Sequence, residues 1–337
     1  MTIKENISLQ SFTSFGCNET SRYFTSVASA DAILEVLQWC KEKNIPYLIL
    51  GTGSNVLFTK TYEGLILKNE IAGIVKTNET ATEVFLSVGA GENWHHFVSY
   101  CVQKGWGGIE NLSLIPGTVG ASPIQNIGAY GVEVQECIQS VTALDTLNDQ
   151  WVNLSNHDCA FGYRDSLFKQ QKNRYLITQV HFVLQKQPHL RTDYGAIKEV
   201  LHEKNIKNPS MADVSNAVIQ IRNAKLPDPA KLGNAGSFFK NPSISKTDYE
   251  KLALQFPQMM AYPISDKAYK LAAGWLIEHC GWKGVRKGKV GCFEKQSLVI
   301  VNYDHASGKE IFDFSEEIIQ SVLQKFNLLL EREVNIF

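Results

Sequence analysis

Two residues of this chain, Ser237 and Arg164, are of types that perform chemistry when a fold confines them. Ser237 stands between a glycine-containing loop and two aromatic residues, within residues 233–242. Its hydroxyl is either an ordinary turn hydroxyl or one aimed to give or take a proton. Arg164 stands among aromatic and turn-forming residues, and its apolar flanks indicate partial burial. A buried guanidinium needs an anionic partner, either a carboxylate of the protein, such as Asp165, or a ligand.

Two loops rich in glycine have the composition of anion-binding loops. One is residues 51–55, and the other, residues 116–123, lies in a window, 105–131, that holds seven glycines in 27 residues. Glu110 is the only formally charged residue of this window. Successive backbone N–H groups can bind a phosphate, and here hydroxyl and amide side chains would assist them without a cation. The alternative is a set of tight turns that binds no ligand.

Other chemistries lack the residues that they require. The sequence contains no P-loop, no HExxH zinc motif and no GxSxG nucleophile turn. The turn at Gly51 resembles the start of a dinucleotide-binding βαβ unit, but Val56 occupies the third glycine position and β-forming residues follow. His95 and His96 have no third ligand at metal spacing, so we interpret both as structural and predict no metal site. Four cations within residues 283–289 suit a diphosphate site and a solvated loop equally.

Composition limits the class of protein. The 337 residues suggest two or three domains, and 44% hydrophobic with 20% charged residues suits a chain that buries a full core. A formal net charge of −1 gives no support to binding of nucleic acid or of a membrane surface. The first residues carry no apolar signal core, and no apolar run is long enough to span a membrane. Seven scattered cysteines without a C-x-x-C pair indicate reduced thiols, so we expect a cytoplasmic protein.

The hydrophobic periodicity predicts the elements that position these residues. Helices and strands alternate without regular βαβ repetition, so we predict an α+β fold. The Leu-Pro-Asp-Pro sequence at residues 226–229 ends a helix and marks a domain boundary. Helices are predicted at residues 30–43 (with Ile33, Leu34, Leu37 and Trp39 or Cys40 inward), from 94 to a stop at Gly105, at 197–203, 212–223, 247–256 and 268–280, and from a Ser307–Glu310 capping box to 326. Strands are predicted at 47–50, 84–88, 174–185 and 297–302, with a hairpin over 134–154 and an extended tail over 328–337.

Seven segments resemble the UDP-N-acetylenolpyruvoylglucosamine reductase family. They occur in the family's order and span nearly the whole chain, so the set is far more specific than any single segment. The segments are residues 48–58, 88–94, 111–131, 161–166, 225–229, 236–242 and 270–277.

The resemblance implies an enzyme of bacterial peptidoglycan precursor synthesis. Such enzymes reduce the enolpyruvyl ether of UDP-N-acetylglucosamine to UDP-N-acetylmuramate, with NADPH as co-substrate and noncovalently bound FAD. The implied fold is a two-part FAD-binding domain of the vanillyl-alcohol-oxidase type plus an α+β substrate-binding domain. The two parts would be residues 1–72 and 73–224, with 327–337 returning to the first part, and the substrate domain would be 225–326. We expect a monomer without nucleic-acid or membrane partners.

The resemblance also assigns residues to the reaction. The family's catalytic arginine falls on Arg164, its proton-donating serine on Ser237 and its C-terminal glutamate on Glu333. We interpret the glycine window as a neutral cradle for FAD, with contacts from Gly51, Gly53, Ser54, Asn55, Gly117, Gly120, Ser122, Gln125, Asn126 and Gly128. Substrate contacts fall on Tyr194, Arg222, Lys225, Asn241, Tyr262, Lys283 and Gln296, of which Tyr194 resembles part of a loop that closes over substrate in one subclass.

The chain departs from the family pattern in its tail. The usual Glu-Pro-Glu-Val is here Glu331-Arg332-Glu333-Val334, which leaves Glu331 as a second candidate for the glutamate role. Residues 288–290 are Gly-Lys-Val in place of the common Gly-Gly-Ala. Two other functions stay open, namely a related flavoprotein oxidase or dehydrogenase acting on a hydroxy acid, and a noncatalytic protein that binds a nucleotide sugar.

Overall fold

The computed structural model describes all 337 residues, which form two compact units. Unit one consists of Met1–Glu5, Tyr23–Thr52 and Glu63–Ala224, and unit two of Asn6–Arg22, Gly53–Tyr62 and Lys225–Phe337. Residues 53–62 and 327–337 are therefore in the same unit. The units divide at Ala224 and Lys225, where the sequence places the start of the substrate domain, and the predicted domain limits stay a prediction.

The chain forms twenty strands and eight helices. The strands are β1 (Lys4–Ser8), β2 (Thr20–Val27), β3 (Tyr47–Leu50), β4 (Val56–Leu57), β5 (Tyr62–Asn69), β6 (Ile74–Glu79), β7 (Glu83–Gly89), β8 (Gly128–Ala129), β9 (Val132–Glu133), β10 (Ile138–Asp145), β11 (Gln150–Ser155), β12 (Tyr175–Gln185), β13 (Gly233–Ser237), β14 (Ser243–Ser245), β15 (Ala261–Ser265), β16 (Ala268–Leu271), β17 (Arg286–Lys287), β18 (Val290–Cys292), β19 (Val299–Asn302) and β20 (Asn335–Ile336). The helices are α1 (Ala30–Lys43), α2 (Trp94–Gln103), α3 (Leu167–Gln170), α4 (Gly195–Glu203), α5 (Met211–Lys225), α6 (Lys246–Gln255), α7 (Ala273–His279) and α8 (Gly308–Phe326).

An antiparallel sheet in the order β11-β10-β12-β7-β6 forms the centre of unit one. Helix α2 packs into the same core, and the four apolar residues of its predicted i, i+3, i+4, i+7 stripe are fully buried. The side chain of Asn93 accepts a hydrogen bond from the His96 backbone N–H and so caps the helix. The stripe is Trp94, Phe97, Val98 and Cys101.

Helix α1 belongs to the apolar cluster that also contains Leu65 and Leu67 of β5. Its predicted bounds are confirmed, because Ser29 caps the first turn and Asn44 ends the helix in the left-handed conformation. The predicted inward position of Leu34 is wrong, since that side chain is 39% exposed and Val36 is buried instead. A sequence-based stripe is uncertain at its margins, because the helix axis is set by the surface on which it packs.

Unit two contains the antiparallel sheet β13-β19-β18-β17 and the smaller sheet β14-β16-β15. Helix α8 begins at the predicted capping box of Ser307 and Glu310 and packs into the core beside Phe238 and Phe239. The predicted helix over 268–280 is wrong in its first part, where the chain forms β16. Strand β16 pairs with β14 on one side and β15 on the other, and these pairings override the local helical pattern.

None of the eight helices is long and apolar enough to cross a membrane. All seven cysteines are free thiols, and six of them are buried. Burial raises the pKa of the Cys40 thiol to about 11, so it stays protonated at neutral pH.

Candidate active site

A β-bulge at the end of β13 sets the orientation of Ser237. The pairing of β13 with β19 shifts in register between Asn234 and Ser237. Asn234 is buried, and its Oδ1 accepts a hydrogen bond of 2.9 Å from the backbone N–H of Gly236, whose φ of +68° suits glycine. Because a bulge redirects the side chains of its strand, this turn determines how the half-buried Ser237 is presented.

The C-terminal segment, residues 328–337, brings the backbone of Glu333 next to the strand that carries Ser237. The N–H of Glu333 donates to the carbonyl of Phe238 at 2.8 Å. The carbonyl of Glu333 accepts from Asn55 Nδ2 at 3.1 Å. Glu333 is thus bonded through both of its backbone groups, one of them to the residue directly after Ser237.

Glu331 and Glu333 lie in different environments. Glu331 forms an ion pair with Lys240, and its side chain is 72% exposed. The Lys240 side chain is only 19% exposed, so water reaches mainly the Glu331 carboxylate. Glu333 is half-buried, as expected for a carboxyl that acts within a site rather than on the surface. The surroundings therefore favour Glu333 for the proposed glutamate role.

Arg164 occupies the corner of a tight turn in unit one. Gly162 and Asp165 exchange backbone hydrogen bonds of 3.0 and 3.2 Å, and the φ of Arg164 is +52°. This left-handed conformation costs a residue with a side chain about 1–3 kcal/mol, so the surroundings must impose it. Arg164 Nη2 donates to the carbonyl of Gly128 at 2.6 Å, and Lys169 Nζ donates to the carbonyl of Arg164 at 2.7 Å. These bonds hold the arginine against the glycine window.

Backbone hydrogen bonds hold the glycine window in place. The N–H groups of Val119 and Gly120 donate to Glu92 and Ala90, each at 2.9 Å, and that of Ser122 donates to Val119 at 3.1 Å. A Cβ on Gly120 would lie 2.5 Å from the Cβ of Ala90, so only glycine fits. These donors maintain the loop itself, which makes the loop rigid before any ligand arrives.

The polar side chains of the window also have partners within the protein. Ser122 Oγ donates to the carbonyl of Val119 at 2.7 Å. Asn126 Nδ2 donates to the Glu133 carboxylate at 2.9 Å and to the carbonyl of Gly162 at 3.0 Å. Ser122 and Asn126 therefore help to shape the window, and their predicted contact with a cofactor stays a prediction.

Two arginines reach the glycine window from distant parts of the sequence. Arg164 contacts Gly128, and Arg222 Nε donates to the carbonyl of Leu114 at 3.2 Å. The N–H of Leu114 donates to His95 Nδ1 at 3.0 Å, so the His95–Leu114–Arg222 contacts form one chain of hydrogen bonds. Tertiary structure thus brings two positive charges to a window that has none in its own sequence, and the predicted FAD cradle stays a prediction.

Three predicted substrate residues of unit two converge on α7. Asn241 Oδ1 accepts from the N–H of Ala273 at 2.9 Å, and Gln296 Oε1 lies 3.2 Å from where a Cβ of Gly274 would be. Lys283 pairs with Glu278 near the end of this helix. Asn241 and Gln296 thus approach the same turn, although they are 55 residues apart in sequence.

The other predicted substrate residues are more dispersed. In unit two, Lys225 is exposed at the end of α5, and Tyr262 on β15 is 53% exposed. In unit one, Tyr194 precedes α4, is 53% exposed, and meets Tyr130 edge to face at 5.3 Å. Tyr130 also forms a hydrogen bond with Arg222, and burial lowers the pKa of that guanidinium. Tyr194 and Arg222 therefore share one neighbour.

The basic loop after α7 is largely neutralised within the protein. Arg286 pairs with Asp304, and Lys287 pairs with Glu317. All four side chains are substantially exposed. Any anionic ligand would have to compete with these carboxylates, and the structure gives this loop the features of a solvated surface.

Four residues to which the sequence assigns no part in the site support these predicted positions. Asn234 forms the turn before Ser237, Lys169 braces Arg164, His95 holds Leu114, and Arg332 contacts α8. Among these four, only Arg332 could be noticed in the sequence, because it replaces the proline that the family usually has at this position. The others act through contacts that become visible only after folding.

Comparison with known proteins covers the whole chain. Residues 22–155 match a family profile described as "FAD binding domain", and residues 228–337 match "UDP-N-acetylenolpyruvoylglucosamine reductase, C-terminal domain". Proteins with this reductase name from Amoebophilus asiaticus and Pseudomonas syringae pv. tomato are 46% and 44% identical to it, over 100% and 99% of this chain and 99% of each relative. A crystal structure of the Thermus caldophilus reductase matches all of both chains with a TM-score of 0.66 at 22% identity.

The residues present fit FAD in chemistry. The loops 51–55 and 116–123 both lie within the match to the FAD-binding profile, and their polar groups are uncharged. A Cβ on Gly51 would lie 2.8 Å from Thr118 Oγ1, so the two loops pack closely only because residue 51 is glycine. Backbone amides and hydroxyls suit a pyrophosphate in general, but those of Val119, Gly120 and Ser122 already donate within the protein, so the donors to FAD would come from other residues of the two loops. Arg164 and Arg222 lie outside residues 105–131 in the sequence, but they contact this window and bring positive charge to it.

Proposed function

The chain belongs to the UDP-N-acetylenolpyruvoylglucosamine reductase family of FAD-binding oxidoreductases, and from this membership we propose that it converts the enolpyruvyl ether of UDP-N-acetylglucosamine to UDP-N-acetylmuramate with NADPH. The observation that most supports the proposal is the bulge that presents Ser237, with the backbone of Glu333 bonded beside it. Bulges are over-represented next to active sites, where they redirect a side chain.

FAD, when bound, supplies the hydride that it has taken from NADPH. We assign its binding to the residues named for it above, in the loops 51–55 and 116–128. Gly51 and Gly120 act there by allowing close packing. The remaining steps depend on the chain's own residues.

Arg164 is proposed to stabilise the negative charge that develops on the substrate. Addition of hydride to the terminal carbon of the enolpyruvyl double bond moves an electron pair towards the carboxylate, which gives an enolate-like intermediate. A guanidinium presents a fixed set of N–H donors that suits a carboxylate. The bonds from Arg164 to Gly128 and from Lys169 to Arg164 hold the group before substrate binds, so little reorganisation is needed during the reaction.

Ser237 is proposed to deliver the proton, and Glu333 to assist the charge. The serine Oγ gives its proton to the carbon next to the carboxylate, where the intermediate is strongly basic. Glu333 donates a hydrogen bond in its protonated form. Asn241, Gln296 and the other predicted substrate residues bind the UDP-sugar.

The seven free thiols are compatible with a reducing compartment, and we propose that the enzyme acts in the cytoplasm as a monomer.

One assay tests the proposed function directly. Purified protein is loaded with FAD, its flavin content is measured, and NADPH oxidation is followed with and without the enolpyruvyl UDP-sugar. We expect oxidation that depends on the sugar, and flavin that is released when the protein is denatured. A flavin-loaded sample that oxidises no NADPH in response to the sugar contradicts the proposal, and flavin that stays attached contradicts noncovalent binding.

A further inference from the structure

Arg332 attaches the C-terminal segment to α8. Its Nε donates to Ser315 Oγ at 2.9 Å, and its Nη2 donates to Glu316 Oε1 at 2.5 Å. Its guanidinium also lies over the ring of Phe312, 4.5 Å from the centroid. Ser315 is fully buried, and the arginine side chain is only 18% exposed. Hydrogen bonds to a charged, partly buried group are among the stronger ones in proteins.

The backbone around Arg332 explains why a side chain is needed there. The N–H of Lys240 donates to the carbonyl of Glu331, and the N–H of Glu333 donates to the carbonyl of Phe238, each at 2.8 Å. Arg332 lies between these two bonds and directly opposite Phe239. These two residues form a pair of the antiparallel type that exchanges no backbone hydrogen bond. Its own backbone therefore adds nothing to this pairing, and its side chain secures the position.

The extended geometry directs neighbouring side chains to opposite faces. Successive residues of an extended chain alternate, so Arg332 points towards α8 and Glu333 points the other way. Contacts made by Arg332 on one face thus limit the movement of the carboxyl on the other. Misplacement of a reacting group by about 1 Å can cost 10²-fold in rate.

We propose that Arg332 is a positioning residue, which holds the backbone of Glu333 in place through Ser315 and Glu316. This inference rests on the proposed function, because it takes Glu333 as a group that contacts substrate. In this chain, the side-chain contacts of Arg332 fix the backbone at position 332. A residue with a restricted φ, such as proline, could fix the same backbone without those contacts.

Two substitutions separate this role from a general loss of stability. Arg332→Ala removes all three contacts, whereas Arg332→Pro removes them but restricts φ and sacrifices no backbone donor of the pairing. We expect Arg332→Ala to slow flavin reoxidation by the enolpyruvyl sugar about 10-fold or more and to leave flavin reduction by NADPH unchanged. Arg332→Pro should stay within about threefold of the original protein in both half-reactions, because a restricted backbone loses less order.

Hydrogen exchange provides a readout independent of activity. Amides of residues 331–337 should exchange faster in Arg332→Ala than in the original protein, and Arg332→Pro should restore most of the protection. Glu316→Gln should show an intermediate effect, since it leaves the Ser315 contact. Asp313→Asn is the matched control, because it alters an exposed carboxylate on the same helix that pairs only with Lys309.

Three results would overturn the inference. The first is flavin reoxidation in Arg332→Ala within twofold of the original rate, and the second is equal slowing of both half-reactions in that variant. The third is hydrogen exchange of residues 331–337 that is as fast in Arg332→Pro as in Arg332→Ala. If the original protein shows no oxidation dependent on the sugar, the proposed function fails instead. The exchange measurements then still decide whether Arg332 holds the segment.

Discussion

The glycine window of unit one and the C-terminal segment of unit two hold proposed functional groups by different means. In the window, most backbone hydrogen bonds join residues only a few positions apart, such as Ser122 N–H to Val119, although those of Val119 and Gly120 reach Glu92 and Ala90. In the C-terminal segment, Glu333 depends on Asn55, which is 278 residues away in sequence. A segment held by local hydrogen bonds has a composition that can be recognised in the sequence. Hydrogen bonds between distant residues give almost no such signal.

The two regions also obtain charge differently. The window is nearly uncharged in sequence, and arginines from positions 164 and 222 reach it through the fold. The C-terminal segment carries its own charges, and these differ in purpose: Glu331 is paired on the surface, Arg332 contacts α8, and Glu333 is half-buried. Charge in the local sequence is therefore a poor guide to charge at a site.

The largest expected effect is on the chemistry beside the C-terminal segment. Ser237→Ala should keep flavin reduction by NADPH but lower turnover of the enolpyruvyl sugar by about 10²–10⁴, because a positioned acid contributes that much. Stopped-flow absorbance separates the two half-reactions. The exposed Ser243→Ala serves as the control. Turnover of Ser237→Ala within about threefold of the original would show that Ser237 is not the proton donor.

A second change tests the rigidity of the glycine window. Gly120→Ala should lower the free energy of unfolding by about 1–3 kcal/mol and weaken FAD binding, because the new methyl meets Ala90 at 2.5 Å. Urea denaturation and flavin titration measure both effects. Gly195→Ala is the control, since the φ of Gly195, like that of Gly120, is not left-handed and nothing lies within 4 Å of the added methyl. Equal losses in the two variants would mean that packing against Ala90 is unimportant.

A third change tests the long-range support of Glu333. Asn55→Ala removes the hydrogen bond to the Glu333 carbonyl, and we expect a local loss of about 1 kcal/mol. It should appear as faster hydrogen exchange over residues 333–337, with slight change in global unfolding. Ser54→Ala should leave that exchange unaltered. Exchange that is identical in Asn55→Ala and the original protein would remove Asn55 from this role.

The smallest expected effect is a pH dependence of the window. Burial, with help from Arg222 and His96, lowers the pKa of His95, and its Nδ1 must be unprotonated to accept from Leu114. The unfolded chain therefore binds a proton more readily, so the free energy of unfolding should fall as pH drops below about 6.5. The loss stops once the folded histidine is also protonated.

His95→Gln provides the comparison for this prediction. Glutamine retains an acceptor but does not titrate, so its unfolding free energy should fall less than that of the original between pH 7.5 and 5.5. The original and the variant share His181, whose pKa burial also lowers, so its contribution cancels. Identical pH profiles in urea denaturation would exclude the His95 contact as a source of acid sensitivity.

Much of the fold follows from local patterns. The bounds of α1, the buried stripe of α2 and the capping box of α8 were all predictable, because periodicity and caps act within a few residues. The helix predicted over residues 268–280 was not, because strand pairing with β14 and β15 outweighed a weak helical pattern in β16. Leu34 was predicted to be buried, but Val36 is buried instead, because the surface on which a helix packs determines which of its side chains are covered.

The sequence by itself determined the family, the α+β class and the identity of the proposed functional residues, because ordered motifs and short-range periodicity are written in neighbouring positions. Tertiary structure alone decided that Arg164 is braced by Gly128 and Lys169, that Glu333 is joined to Phe238 and Asn55, and that Arg332 contacts α8. The physical reason is that each of these contacts joins side chains and backbone groups that only chain folding brings within hydrogen-bonding distance.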